Sequence, residues 1–100
     1  MTIDGVSQST GADRVVAIEA AGEHVSVAVS DRSGGVELGR AVVPADGLMT
    51  VLSDKPTGAQ VVTEGMTAEV RRNEVWLVVR GAEAAVGLDD LTDAVGSVAR

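Results

Sequence analysis

The chain has no cysteine, no phenylalanine and no tyrosine, and only one tryptophan, one histidine and one lysine. Without cysteine there is no disulfide framework, no thiolate nucleophile and no thiolate-ligated zinc. That composition is compatible with a reducing compartment, and the expected location is cytoplasmic. Aromatic residues make up 1% of the chain although hydrophobic residues reach 45%. The core must therefore be assembled from Val, Ala, Leu, Ile and Met, each of which buries little area. A chain of this length buries about 60–65% of its unfolded surface, which is enough for one modest core. Small side chains in a small core point to marginal stability or support from a second chain. No apolar run approaches the length of a membrane span, and the N-terminus lacks the basic-then-apolar pattern of a secretory signal.

Basic residues are scarce too. Eight Lys and Arg stand against fifteen Asp and Glu, for a net charge of −7. A generally basic face for nucleic acid is absent, and the acidity repels nucleic acid and anionic membrane. Arg outnumbers Lys seven to one, which with abundant Ala, Gly and Val fits a GC-rich bacterial or phage genome.

Against these absences stands an internal pattern. Ala41-Val42-Val43-Pro44-Ala45-Asp46-Gly47-Leu48 and Ala84-Ala85-Val86-Gly87-Leu88-Asp89-Asp90-Leu91 share Ala, Val, Asp and Leu in register. Apolar pairs follow both Leu residues at one spacing (Val51/Leu52 and Ala94/Val95), and a β-rich run precedes each copy. The expectation is an α+β fold of duplicated βββα units, residues 14–53 and 59–98, with an antiparallel sheet packed on one or two short helices. Residues 14–100 then form one domain.

Met1–Asp13 is polar and aperiodic and is expected to be a flexible tail. Arg14–Ala20 is a strand candidate rich in β-branched residues. In His24–Ser30 the alternation is strict, with Val25, Val27 and Val29 on one face. Asp31–Gly35 is a turn, and Val36–Val43 is a third strand that should stop at Pro44. Residues 45–53 fit either a hairpin at Asp46-Gly47 or a short helix with Leu48, Val51 and Leu52 on one face; the repeat favours helix. In the second half, Gln60–Glu64 and Met66–Arg71 are strands, and Arg72-Asn73-Glu74 is a tight turn. Val75, Leu77 and Val79 point inward, while Trp76, Val78 and Arg80 point outward. Gly81 reads as a bulge or break, with Ala82–Val86 continuing the strand. Leu88, Leu91, Ala94, Val95 and Val98 form the stripe of a helix, with Asp89 and Asp90 in its first turn and Arg100 near its end.

Few residues offer chemistry. His24 opens a strand beside a turn and lacks a partner at ligand spacing. Gly34-Gly35, with Gly39 beyond, has neither the Walker nor the Rossmann continuation. Asp89, Asp90 and Asp93 lack the alternating ligands of an EF-hand loop and read as helix-end charge compensation. Trp76, with Arg72 and Arg80 on its face, has the composition of a protein-interface hot spot and also of a stacking platform for single-stranded nucleic acid.

The stretch Gly39-x-x-Val42-x-x-x-Asp46-x-Leu48-x-x-Val51-x-Ser53-Asp54-Lys55 resembles the approach to the modified lysine of lipoyl and biotinyl carrier domains. That resemblance, confined to residues 39–55, implies a flattened β-barrel with Lys55 at a hairpin tip bearing a swinging cofactor arm. Pro56 and Arg40 depart from the pattern.

The leading expectation is a small acidic non-enzymatic interaction or assembly protein. It would bind itself or another protein through Trp76, Arg72 and Arg80, with no cofactor, no metal and no membrane. Single-stranded nucleic-acid binding through the same face ranks second, against the charge. A carrier modified at Lys55 ranks third.

Overall fold

The computed structural model describes residues 1–98; Arg100 lies outside them. The strands are β1 (Thr2–Val6), β2 (Asp13–Ala21), β3 (His24–Asp31) and β4 (Glu37–Pro44), followed by helix α1 (Ala45–Asp54). Then come β5 (Gln60–Thr63), β6 (Met66–Arg71), β7 (Glu74–Val79) and β8 (Ala82–Gly87), followed by helix α2 (Leu88–Val98). The architecture is α+β, mostly strand. All eight strands belong to one antiparallel sheet in the order β4-β3-β2-β1-β8-β7-β6-β5. The outermost strands β4 and β5 approach each other, so the sheet rolls nearly into a barrel. No helix among the described residues is long and apolar enough to cross a membrane.

The alternation in β3 and β7 has its expected result. Val25, Val27, Val29, Val75, Leu77 and Val79 are fully or almost fully buried on the inner face. Leu48 and Leu52 of α1 and Leu88, Leu91, Ala94 and Val95 of α2 join them in one core. The two helices touch each other. Residues 45–54 are helical rather than a hairpin: Pro44 occupies the cap position with extended backbone, which suits a residue that cannot donate a ladder bond. The first helical amide of each helix is satisfied by a hairpin turn: Ala45 N–H donates to Glu23 O (3.3 Å), and Leu88 N–H to Asn73 O (2.7 Å).

Three expectations are corrected. The N-terminal stretch is not a tail: Thr2–Val6 forms β1, paired with β2 from Thr2↔Ala17 to Val6↔Asp13 and with β8 at Val6↔Ala85. Its inner positions are Ile3 and Gly5, and a glycine leaves no apolar signal. The strand is held by ladder bonds, with the terminal ammonium of Met1 donating to Ile18 O (2.9 Å). Four strands therefore precede each helix, not three. Gly81 marks a break and not a bulge. Arg80 and Gly81 both have positive φ (50° and 84°), the signature of a two-residue hairpin turn matched to strand twist, and β8 is a separate strand. The irregularity in β4 lies at Leu38, where the register with β3 shifts between Val29 and Ser30.

Closure of the roll depends on a bare backbone. A Cβ at Gly39 of β4 would overlap the carbonyl oxygen of Val79 at the end of β7. Gly39→Ala should therefore destabilise the protein by about 1–3 kcal/mol or more, the cost of overpacking against an immovable group. Gly96, in α2, has open space where a Cβ would go, and Gly96→Ala should stabilise by about 0.5–1 kcal/mol. Urea unfolding of the two variants should move the midpoint in opposite directions; equal midpoints would contradict both the seam and the helix assignment.

Candidate functional site

Trp76 sits on the outer face of the sheet at the centre of β7. Its cross-strand partners are Glu69 on β6 and Ala85 on β8, and Ala85 pairs in turn with Val6. One strand position along, Val78 lies beside Thr67, and Thr67 beside Val61. The outer face here is thus two rows, Val6-Ala85-Trp76-Glu69 and Glu83-Val78-Thr67-Val61. Neither helix covers it, and Val61 is 76% exposed.

The tryptophan is only partly buried. The guanidinium of Arg71 lies 3.7 Å from its ring centroid, a cation–π geometry. Arg71 is fixed there by its Nε, which donates to Glu69 Oε2 at 2.7 Å. Trp76 Nε1 is buried without a hydrogen-bond partner among the described residues. The expected arginine partners do not flank the ring. Arg72 sits in the β6–β7 turn and Arg80 in the β7–β8 turn, at opposite ends of β7. The two hairpin turns displace them. Arg71, on the same face as Glu69 and Thr67, reaches Trp76 from the neighbouring strand, and that alternation was the signal for it. Arg72 (φ 56°) and Arg80 (φ 50°) both occupy the left-handed region. Arg80 spans the seam: its amide donates to Gly65 O (2.6 Å), and its Nε donates to Arg40 O (3.4 Å).

On the outer face of β3, Ser26 pairs with Val42 and Glu19. Arg40 lies over it, donating to Ser26 Oγ at 2.8 Å and to Glu37 Oε1 through both Nε and Nη2. The hydrogen bond from Arg40 holds the Glu37 carboxyl below the ordinary glutamate range, with the guanidinium charge adding to it.

The other candidates are ordinary surface features. His24 is exposed at the start of β3. Asp89 and Asp90 are exposed in the first turn of α2, and among the described residues no group of three or more His, Asp or Glu is placed to hold a metal. Gly34-Gly35 belongs to the β3–β4 loop, where Asp31 Oδ1 accepts from the Ser33 amide and hydroxyl. Lys55 is not at a hairpin tip. It ends α1 in a left-handed conformation (φ 50°), its amide donating to Val51 O. A helix forms there because Leu48 and Leu52 both bury on its inner side, and the carrier geometry loses its hairpin.

Three outcomes follow from this geometry. Arg71→Ala should red-shift the Trp76 emission and lower stability by about 0.5–1 kcal/mol, the worth of an exposed cation–π pair; unchanged emission would mean that Arg71 does not shield the ring. Arg72→Gly should raise stability by up to about 1 kcal/mol, by relieving a side chain held at positive φ. Glu37→Gln should matter only on one side of the acid range. A carboxyl with a depressed folded-state pKa stabilises above its unfolded value, and the gain fades as pH falls through the folded value. Thermal midpoints of wild type and Glu37→Gln should therefore separate, by a small amount for so exposed a pair, above the ordinary glutamate range of about 4.3, and converge as the pH falls well below it. These expectations rest on geometry alone, because no family model, no curated protein and no solved structure matches this chain.

Proposed function

We propose that this chain is a small non-enzymatic interaction or assembly protein that associates with a second copy of itself through the outer sheet face around Trp76. The observation that carries this reading is the set of exposed valines, Val6, Val61 and Val78, around the partly exposed Trp76 on a face that neither helix covers. Tryptophan and arginine are the residues most enriched at interface hot spots, and here they arrive already stacked and held by Glu69. A rigid aromatic anchor loses little conformational entropy on binding. The Arg71–Glu69 pair at the edge of the patch gives two copies related by a two-fold axis a reciprocal polar rim.

The reading includes an internal duplication, in which β2-β3-β4-α1 and β6-β7-β8-α2 descend from one module. Matching registers support it. Val25/Val43, Ser26/Val42 and Val27/Ala41 in the first half correspond to Val75/Val86, Trp76/Ala85 and Leu77/Ala84 in the second. Glu19 opposite Ser26 corresponds to Glu69 opposite Trp76. The turn-to-helix bonds from Ala45 and Leu88 correspond as well. Binding of single-stranded nucleic acid has weaker support. The chain carries −7, Arg71 occupies one face of the only ring, and Arg72 and Arg80 stand apart from it.

Sedimentation velocity across a concentration series tests the proposal. The wild type should show a reversible dimer, and Trp76→Ala and Val61→Asp should each weaken it about tenfold or more. A wild type that stays monomeric at every concentration, or variants that dimerise as tightly as wild type, would refute association through this face.

A further inference from the structure

A cleft of about 390 Å³ opens at the far end of β7 from Arg72, between the β1–β2 loop, the start of β2 and the β7–β8 turn. That volume falls at the small end of the range for ligand sites. Its polar lining is Ser7, Ser9, Thr10, Arg14, Arg80 and Glu83. Ser7 is only 2% exposed, one of two buried polar residues among those described. Its hydroxyl donates to Glu83 Oε1 at 3.2 Å, and Ser9 donates to the same oxygen. Those two hydroxyl bonds hold the Glu83 carboxyl below its ordinary range, with Arg14 contributing at longer reach.

Glu83 is thus satisfied by hydroxyls, not by arginine, and both arginines keep hydrogen-bonding capacity. Arg14 donates one Nη1 bond to the carbonyl of the adjacent Asp13 (3.3 Å), while its Nε is buried with no acceptor among the described residues. Arg80 makes one long bond to Arg40 O. Neither arginine has a carboxylate within ion-pair distance among the described residues, whereas Arg32, Arg40 and Arg71 each do. The chain is acidic overall, yet two arginines and one glutamate line this cleft; the Arg80 guanidinium rests against the bare backbone of Gly65. A buried N–H without an acceptor bears its full desolvation penalty. A planar guanidinium presents paired donors that match the oxygens of a carboxylate or phosphate.

We propose that this cleft binds a small oxyanion, a phosphate or carboxylate group, against the side chains of Arg14 and Arg80, with the hydroxyl of Thr10 at its rim. Glu83 keeps Ser7 and Ser9 in place and sets a size limit, because a second anionic group on the ligand would face its carboxylate. The cleft adjoins the Trp76 patch, since Glu83 pairs with Val78, but anion binding there does not require self-association.

The test is amide and arginine-Nε NMR titration of the full chain with inorganic phosphate and, separately, with acetate at fixed ionic strength. Saturable shifts confined to residues 7–14 and 80–83, with a dissociation constant of about 10 mM or tighter, are the expected result. The tighter of the two anions distinguishes a phosphate-bearing from a carboxylate-bearing ligand. Arg14→Gln should weaken binding about tenfold or more, and Arg80→Gln should weaken it also. Arg32→Gln, on the Asp4 pair, should leave it unchanged. If Arg14→Gln does not fold, Arg80→Gln and the anion-dependent rise of the wild-type thermal midpoint decide. No saturable shift with either anion, shifts spread over all arginines, or an Arg80→Gln titration identical to wild type would overturn the proposal.

Discussion

An interior built from valine, alanine and leucine has to be closed by backbone proximity, because it has no large side chains with which to span a gap. The bulkiest fully buried side chains are Ile18, Leu48, Met66, Leu77 and Leu91. Protein interiors pack to the density of organic crystals, so small residues force the layers together. Two glycines record that pressure. Gly39 meets the end of β7, and at Gly5 a Cβ would stand 2.9 Å from the carbonyl oxygen of Ala85 on the neighbouring strand. Both lie on seams of the roll, where β4 meets the second half and where β1 joins β8. The one large aromatic is consequently on the outside. On the inner face a ring of that size would exceed the space that Val and Ala leave.

The same constraint explains which elements were legible in the sequence. β3 and β7 were, because valine and leucine alternate there without interruption, and so was α2, whose stripe is continuous from Leu88 to Val95. Residues 45–54 were readable only by comparison with the second half. β1 was hidden because its two inward residues are an isoleucine and a glycine, and a glycine that permits close approach looks in sequence like a residue of a loop. The β7–β8 turn was misread for a related reason: Arg80 at positive φ is an unusual choice where Asn or Gly is the usual signal.

Site residues divide along the same line. The outward direction of Trp76 followed from period two alone, whereas its partner depended on knowing which strand lies beside β7. Proximity in sequence pointed to Arg72 and Arg80, which the two hairpin turns carry to opposite ends. Strand pairing brings Arg71 instead. The cleft was beyond sequence reasoning altogether, because Ser7 and Glu83 are 76 residues apart and meet only through the β1–β8 seam. A strand expected as tail cannot bring its following loop to a hairpin turn in the other half.

Electrostatics then separates what this fold can attract at a distance from what it can hold on contact. A chain of −7 repels anions over the roughly 8–10 Å of a physiological Debye length. Three of its arginines are already tied to carboxylates: Arg32 to Asp4, Arg40 to Glu37 and Arg71 to Glu69. Such exposed pairs contribute little to stability, but they remove those cations from any wider positive field. Steering of a polyanion such as nucleic acid has little left to act through. Arg14 and Arg80 differ because they share one recess in which Glu83 is occupied by hydroxyls. Their influence is felt within hydrogen-bond range, where a paired donor geometry outweighs the diffuse repulsion of the surface. A small oxyanion that reaches the recess meets two cations and one carboxylate, while a long polyanion must also lie along the acidic surface around it. The fold therefore selects by size as well as by sign.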